Sequence, residues 1–230
     1  EKNYIYGNNI ITTGSGAYGI YLSSTTYNTS IYSNNITTYN MSSHGIFLTS
    51  FAYNNTIFDN NVTTKNATGS FGIYLLGNVQ NNSFFRNAIT SLAAGIVING
   101  SGGGGGLRYN MFTNDSIVPC TTGCASDYYD IVLTYNTSDI TLLNVSLNRS
   151  RISFVPYNPG VPVEINNLTV QRYLSVNVTN STNSNPIASA QVVINNSFAT
   201  NIFNGTTDAT GGIATQIVTE FTMNGSVPFT

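Results

Sequence analysis

The sequence predicts an all-β fold, a parallel β-helix of about 26 residues per coil followed by a small antiparallel β module. Three observations predict it. Paired residues recur at Asn8-Asn9, Asn34-Asn35, Asn60-Asn61 and Asn87-Ala88, in steps of 26, 26 and 27. A second marker recurs in the same phase at Gly19-Ile20, Gly45-Ile46, Gly72-Ile73 and Gly95-Ile96, in steps of 26, 27 and 23. Beyond a proline-rich stretch near residue 160 the pattern changes to short alternating runs parted by turn residues. Two markers in one phase describe a repeat array in which each unit buries its apolar side only against its neighbours.

Within one unit, residues 54–64 and Phe71-Gly72-Ile73-Tyr74-Leu75 give three runs rich in β-branched and aromatic residues, and residues 28–38 and 81–91 are aligned copies. Such runs read as three strands joined by turns, with no room for a helix. Successive units run in one direction, so each strand finds its partner in the same strand of the next unit, with right-handed crossover the expected hand. Gly102 to Gly106 is expected to be a loop excursion, because a phosphate-cradling loop needs a Lys and a following helix that the text lacks. The pattern resumes over 108–117, breaks at a cysteine loop, and closes with one or two coils over 128–154.

The motif N-x-x-I-x-x-N-x-I/V-T, spelled at 28–37 and 54–63, resembles the parallel β-helix repeats of the periplasmic copper-processing and carbohydrate-binding or sugar-hydrolase type found in large surface proteins. The resemblance covers residues 1–155 and implies a fold, not an activity. It also implies a column of inward asparagines stitching coil to coil, for which Asn8, Asn34, Asn60 and Asn87 are the expected ladder, with Asn35 and Asn61 facing outward. Residues 156–171, with Pro156, Pro159, Gly160 and Pro162, form a stiff connection. In 172–230, the texts Asn185-Pro186-Ile187 through Ile194 and Thr207-Asp208 through Gly211 resemble the small Ig-like sandwich of carboxypeptidase-regulatory-like domains. That resemblance implies a structural or adhesive module. Only four or five strands are visible where such a sandwich has about seven, so it is expected to be completed by another chain. The repeat register already in force at Asn3, with no cap before it, reads as a segment of something longer.

Composition narrows the function. Charged residues make up 7 % of the chain and the net charge is -2, so no basic stripe exists to neutralise phosphates, and nucleic acid is not an expected partner. With 41 % hydrophobic residues, 15 Tyr and 12 Phe, there is ample surface to bury, which excludes a disordered polyanion. No apolar run approaches the roughly 20 residues of a membrane span.

Asparagine is the outlier. Of 34 Asn, 18 open an N-x-S/T triplet without proline, where random placement gives roughly 8. In the non-repeating part from Asp130 onward 9 of 15 do so, against roughly 3.5, so the repeats do not create the excess. The N-glycosylation candidates are Asn28, Asn35, Asn40, Asn54, Asn61, Asn66, Asn81, Asn99, Asn114, Asn136, Asn144, Asn148, Asn167, Asn177, Asn180, Asn195, Asn204 and Asn224. A glycosylated chain is a translocated one, which places it at the cell surface or outside the cell, solubilised by covalent glycans. Cys120 and Cys124 have no other metal-ligand type nearby and are expected to form a disulfide, the alternative being two thiols in a surface turn.

The chain offers little catalytic chemistry. Asp59 aligns with Arg86 one coil on and reads as an exposed ion pair. Asp127 and Asp130, with Arg149 and Arg151 a coil later, are the nearest approach to an acid cluster. The single His44 is expected in a surface turn, without the carboxylate partner a general base needs. Tyr21, Phe47 and Tyr74 form one aromatic column and Tyr32, Phe58 and Phe85 another; aliphatics inward would put the first column outward. No catalytic or metal residue and no cofactor is therefore expected. The expected function is that of a structural or adhesive surface glycoprotein that associates with itself in a filament, sheath or layer. The alternatives are a carbohydrate-cleaving β-helix enzyme or a sugar-binding module.

Overall fold

A computed structural model describes residues 2–101, 106–118, 120–155, 167–197, 199–224 and 227–229. Gly102 to Gly105 and the proline stretch 156–166 lie outside the described residues. The chain divides into two compact units, residues 1–170 with 221–230, and residues 171–220.

The first unit is a parallel β-solenoid of about six turns. Coil one comprises Asn3–Tyr6, Asn9–Thr12 and Ile20–Leu22, and coil two Thr29–Tyr32, Asn35–Thr38 and Ile46–Thr49. Coil three comprises Thr56–Phe58, Asn61–Thr64 and Phe71–Leu76, and coil four Ser83–Phe85, Ala88–Ser91 and Ala94–Asn99. Coil five comprises Met111–Thr113, Ser116–Val118 and Tyr129–Thr134, and coil six Ile140–Leu143, a single bridge at Ser146, and Ile152–Val155. Corresponding strands of successive coils pair in parallel, giving three sheets that run the length of the coil. The register stacks like on like: Ile5, Ile31, Ile57, Phe84, Phe112 and Leu142 form one inward column.

Alternation along each short strand sends one residue in and the next out. Ile36, Val62 and Ile89 fill the interior from the second sheet and Ile46, Ile73 and Ile96 from the third, all fully buried. Each contributes about 1.5–3 kcal/mol of apolar burial. A single coil cannot close a core, so this stabilisation exists only between neighbouring coils.

The Gly-Ile marker has a steric cause. A Cβ on Gly72 would stand 2.3 Å from Ile89 Cγ2 and 2.7 Å from the carbonyl oxygen of Gly95, and Gly19, Gly45 and Gly95 meet the same two obstacles. These glycines need room, not a left-handed backbone. In coil five their place is taken by Asp130, opposite a coil whose second sheet has shrunk to one bridge. Left-handed positions lie elsewhere, eleven of them in two corner columns of the coil. One corner column is Asn28, Asn54, Asn81, Tyr109 and Asp139, and the other is Gly7, Ser33, Asp59, Arg86, Asn114 and Asn144, with φ between 53° and 67°.

In the second unit, Gln191–Asn195 and Asn201–Thr206 form an antiparallel pair. Asp208 Oδ1 closes the following turn by accepting from the Thr210 and Gly212 amides, and Arg172 Nε donates to Glu220 Oε2 at 3.0 Å. Among the described residues 171–220 only Thr207 and Gly211 are buried, so no apolar side chain there is enclosed as in a two-sheet sandwich. What stands is a small antiparallel sheet.

Gly72→Ala tests the steric reading of the marker. Overpacking at this corner is expected to cost about 1–3 kcal/mol, read as a lower urea midpoint at unchanged slope.

Candidate functional site: asparagine columns and an axial cleft

Two asparagine columns run inside the solenoid. In the first, the side-chain amide of Asn8 donates to Asn34 Oδ1 at 3.0 Å, Asn34 to Asn60 at 2.9 Å, Asn60 to Asn87 at 2.9 Å, and Asn87 to Asp115 Oδ1 at 2.8 Å. Each Oδ1 also accepts the backbone N–H of the asparagine one coil earlier. The remaining amide hydrogens of Asn34, Asn60 and Asn87 go to the carbonyls of Ile5, Ile31 and Ile57. Every polar atom of a rung is thus used, as burial in an apolar coil requires. Asn34, Asn60 and Asn87 are buried, whereas Asn8 is exposed because it stands in the end coil of this structure.

The second column, Asn55, Asn82 and Asn110, does the same at the other corner and is absent from the sequence-based expectation. Asn55 donates to Asn82 Oδ1 and Asn82 to Asn110 Oδ1, both at 3.0 Å. Their other hydrogens reach the carbonyls of Thr26 and Ala52, and that of Asn110 reaches Val79. A signal existed: Asn54-Asn55 and Asn81-Asn82 are also pairs at repeat spacing. In them the order is reversed, with the first residue in the left-handed corner facing out and the second facing in.

The first column ends on an acid. Asp115 is buried, its Oδ2 has no hydrogen-bond partner, and burial pushes its pKa up to about 7. At this rung an asparagine would donate to the next carbonyl in the Ile5, Ile31, Ile57 series, that of Phe84 by register. Only a neutral carboxyl carries an O–H that can stand in for the amide donor; an ionised one accepts alone.

The outward asparagines separate cleanly from the inward ones. None of the 18 sequon asparagines is buried, 14 being exposed and four half-buried, while the six asparagines buried among the described residues (34, 55, 60, 82, 87 and 110) are all outside sequons. Asn28, Asn54, Asn81, Asn114 and Asn144 occupy left-handed corners, which Asn tolerates better than most residues. Asn35 and Asn61 sit on the second sheet, where each side-chain amide donates to the asparagine one coil earlier at 3.1 Å. The side chains of Asn28, Asn54 and Asn81 make no hydrogen bond among the described residues.

Cys120 and Cys124 are joined in a disulfide. The loop it closes is held to the solenoid by the Ala125 amide, which donates to the Leu92 carbonyl at 2.8 Å. Asp59 and Arg86 form an exposed bidentate pair at 2.7 and 2.8 Å. Asp127 and Asp130 do not form a cluster in one groove: Asp127 is exposed, and Asp130 is buried, with Oδ2 accepting the Asn148 amide at 2.6 Å. Among the described residues no three of His, Cys, Asp and Glu gather as metal ligands.

His44 corrects the expectation of a surface turn. It is buried between Tyr18 and Phe71, with ring centroids at 5.3 and 5.0 Å, and its Nδ1 accepts the Phe71 amide. Desolvation lowers its pKa to about 4, so it is a neutral rung of an aromatic stack. The spacing of Tyr18, His44 and Phe71, 26 and 27 residues, is that of the repeat and is the signal that marks the stack. This stack lies beside the outward column Tyr21, Phe47 and Tyr74, and together their rings leave Phe47 only 6 % exposed. Stacking uses up the ring faces. The second outward column, Tyr6, Tyr32, Phe58 and Phe85, is stacked at 4.7–5.0 Å and also shows solvent mainly its edges.

Both stacks on the third sheet stop at coil three. By register Phe71 is followed by Ala94 and then Tyr129, and Tyr74 by Val97 and Val132. A cleft of about 420 Å³ opens there, bounded by Phe71, Tyr74 and Tyr129 and floored by Ala94, Val97 and Val132. Asn99, Ser153 and Asp127 are its polar lining residues, while the Thr134 hydroxyl beside them is buried.

Two substitutions separate the inner from the outer asparagines. Asn60→Ala strands the Asn34 amide groups and the Ile31 carbonyl, an expected loss of about 3 kcal/mol or more, while Asn61→Ala changes stability by less than about 0.5 kcal/mol; chemical denaturation reads both. Asp115→Asn is expected to raise the melting temperature at pH 8 and to change little near pH 3.5. A carboxyl whose native pKa is raised from 3.8 to about 7 leaves stability whole below the lower value, and removes it as pH climbs between the two. A pH series of thermal melts on both proteins measures the divergence. Compared with family models, curated proteins and solved structures, the chain matches none.

Proposed function

We propose that the chain is a structural or adhesive glycoprotein of a cell surface or extracellular layer. The observation that carries the reading is the partition of asparagines: every sequon asparagine is accessible, and every buried asparagine lies outside a sequon. Turn and strand preferences account for asparagine at the corners. They do not account for a hydroxyl residue two positions on, and the excess persists past the repeats. N-linked glycans then supply the solubility that 7 % charged residues do not.

Self-association goes with this role. Tyr4, Tyr6 and Ile11 of coil one are all more than half exposed. In the small unit Val193 and Ile217 are also more than half exposed. An Ig-like module completed by another chain would cover such apolar groups.

The test is the intact mass of the protein from its native source, before and after enzymatic or chemical deglycosylation. The expected result is a mass above that of the bare polypeptide that collapses on treatment. A mass equal to the bare polypeptide overturns the glycoprotein reading. Imaging and light scattering of the same material address assembly, and a monodisperse monomer at all concentrations rejects the filament or layer.

A further inference from the structure

The sequon asparagines of the solenoid are stacked, and stacking limits what they can carry. Asn28, Asn54 and Asn81 hold the same left-handed corner in three successive coils, each directly after a residue of the bridged series Tyr27, Tyr53 and Gln80. Asn35 and Asn61 are paired in register on the second sheet, and Asn114 and Asn144 stand one above the other at the second corner. Amide groups one coil apart touch: Asn61 Nδ2 donates to Asn35 Oδ1 at 3.1 Å, and Asn144 Nδ2 to Asn114 Oδ1 at 2.8 Å. The attachment nitrogens of a column are therefore one strand spacing apart, about 4.8 Å.

An N-linked oligosaccharide needs more room than that. One pyranose chair with its substituents already fills a coil spacing, and each further sugar or branch is broader. Repeated backbone angles send the side chains out in parallel, with φ 54°, 56° and 55° at Asn28, Asn54 and Asn81. On the second sheet the sequon hydroxyl residues Thr37 and Thr63 share the outward face with Asn35 and Asn61 and narrow the exit further.

We propose that glycosylation is mutually exclusive between adjacent coils of a column. One of Asn35 and Asn61 carries a glycan, one of Asn114 and Asn144 does, and in the triplet Asn28 and Asn81 do while Asn54 between them stays bare. Glycans of the triplet then stand two coils apart, roughly 10 Å. The corners are already spaced in this sense. In each of coils two to six one left-handed corner holds a sequon asparagine and the other does not: Ser33, Asp59 and Arg86 face Asn28, Asn54 and Asn81 across their strands, and Tyr109 and Asp139 face Asn114 and Asn144. Stacked sequons are thus alternative acceptors for one glycan, which separates the number of sequons from the number of glycans. The inference rests on the glycoprotein reading.

Tryptic digestion of the denatured protein from its native source tests it, because Lys2 and Lys65 are consecutive cleavage points and the peptide 3–65 holds five sequons, at Asn28, Asn35, Asn40, Asn54 and Asn61. Its intact mass, with and without deglycosylation, counts glycans on single molecules, and fragmentation locates them. The expected maximum is one for the pair Asn28 and Asn54, one for Asn35 and Asn61, and one for Asn40, with Asn54 the least occupied of its column. Ser30→Ala with Ser83→Ala, made in the same host, removes both flanking sequons while leaving asparagine in the left-handed corner. Sites that share space are not independent, so this variant is expected to raise occupancy at Asn54 about twofold or more. A peptide that carries glycans at both Asn28 and Asn54, or at both Asn35 and Asn61, overturns the exclusion and leaves the glycoprotein reading intact. So does an Asn54 occupancy that the variant leaves unchanged. Absence of glycopeptides from the whole digest overturns the glycoprotein reading itself and the exclusion with it.

Discussion

The structure depends on one repeated contact, the inward asparagine amide that bonds to the same residue one coil away. A three-stranded coil turns sharply at its corners, where the sheet ladder lapses and backbone groups would otherwise be buried without partners. An asparagine side chain offers an acceptor and two donors in one plane. In rungs such as Asn60 the acceptor takes the N–H and side-chain amide of the coil before, and the two donors reach the next rung and a carbonyl. Because the same residue type repeats at the coil period, each bond that closes one coil also prepares the next. The apolar interior supplies most of the burial energy, and the amide columns set the register in which it packs.

The corner that creates an inward asparagine also creates an outward one. A left-handed residue immediately before the rung, such as Asn54 before Asn55 or Asp59 before Asn60, turns the chain so that its own side chain projects into solvent. Where that residue is Asn and a hydroxyl residue follows the rung, a sequon results, as at Asn28, Asn54, Asn81, Asn114 and Asn144. Structural need and surface decoration are therefore written into adjacent positions, and the polar, weakly charged exterior is a product of the same turns that hold the interior.

The departures from the repeat are where distinct chemistry resides. Asp115 replaces an amide and makes one rung sensitive to pH. Asp130 replaces the corner glycine where the opposing strand has thinned enough to admit a side chain, and its carboxylate holds Asn148 in the following coil. Ala94 replaces a ring and opens the cleft. A strictly periodic array would have none of these features, since each arises from a single residue that breaks the column it belongs to.

The periodicity of Asn, Gly and Ile was enough to specify a parallel coil with three strands per turn, because every position must stack on its own copy and the copies are legible as text. The outward aromatic column followed from alternation, and the outward placement of Asn35 and Asn61 from the inward ladder that the repeat's resemblance implies. The second amide column is hidden because in Asn54-Asn55 and Asn81-Asn82 the outward residue comes first, the reverse of Asn34-Asn35 and Asn60-Asn61, and the left-handed backbone at Asn54 and Asn81 sets that order. His44 was misplaced for a related reason: its burial comes from Tyr18 and Phe71, distant in the text and adjacent only after stacking. The cleft, too, is a property of the column Phe71, Ala94 and Tyr129, whose spacing of 23 and 35 residues hides the register that the folded coil restores. Local pattern decides which residues repeat; which face they meet, and what is missing between them, is decided only when the coils lie on one another.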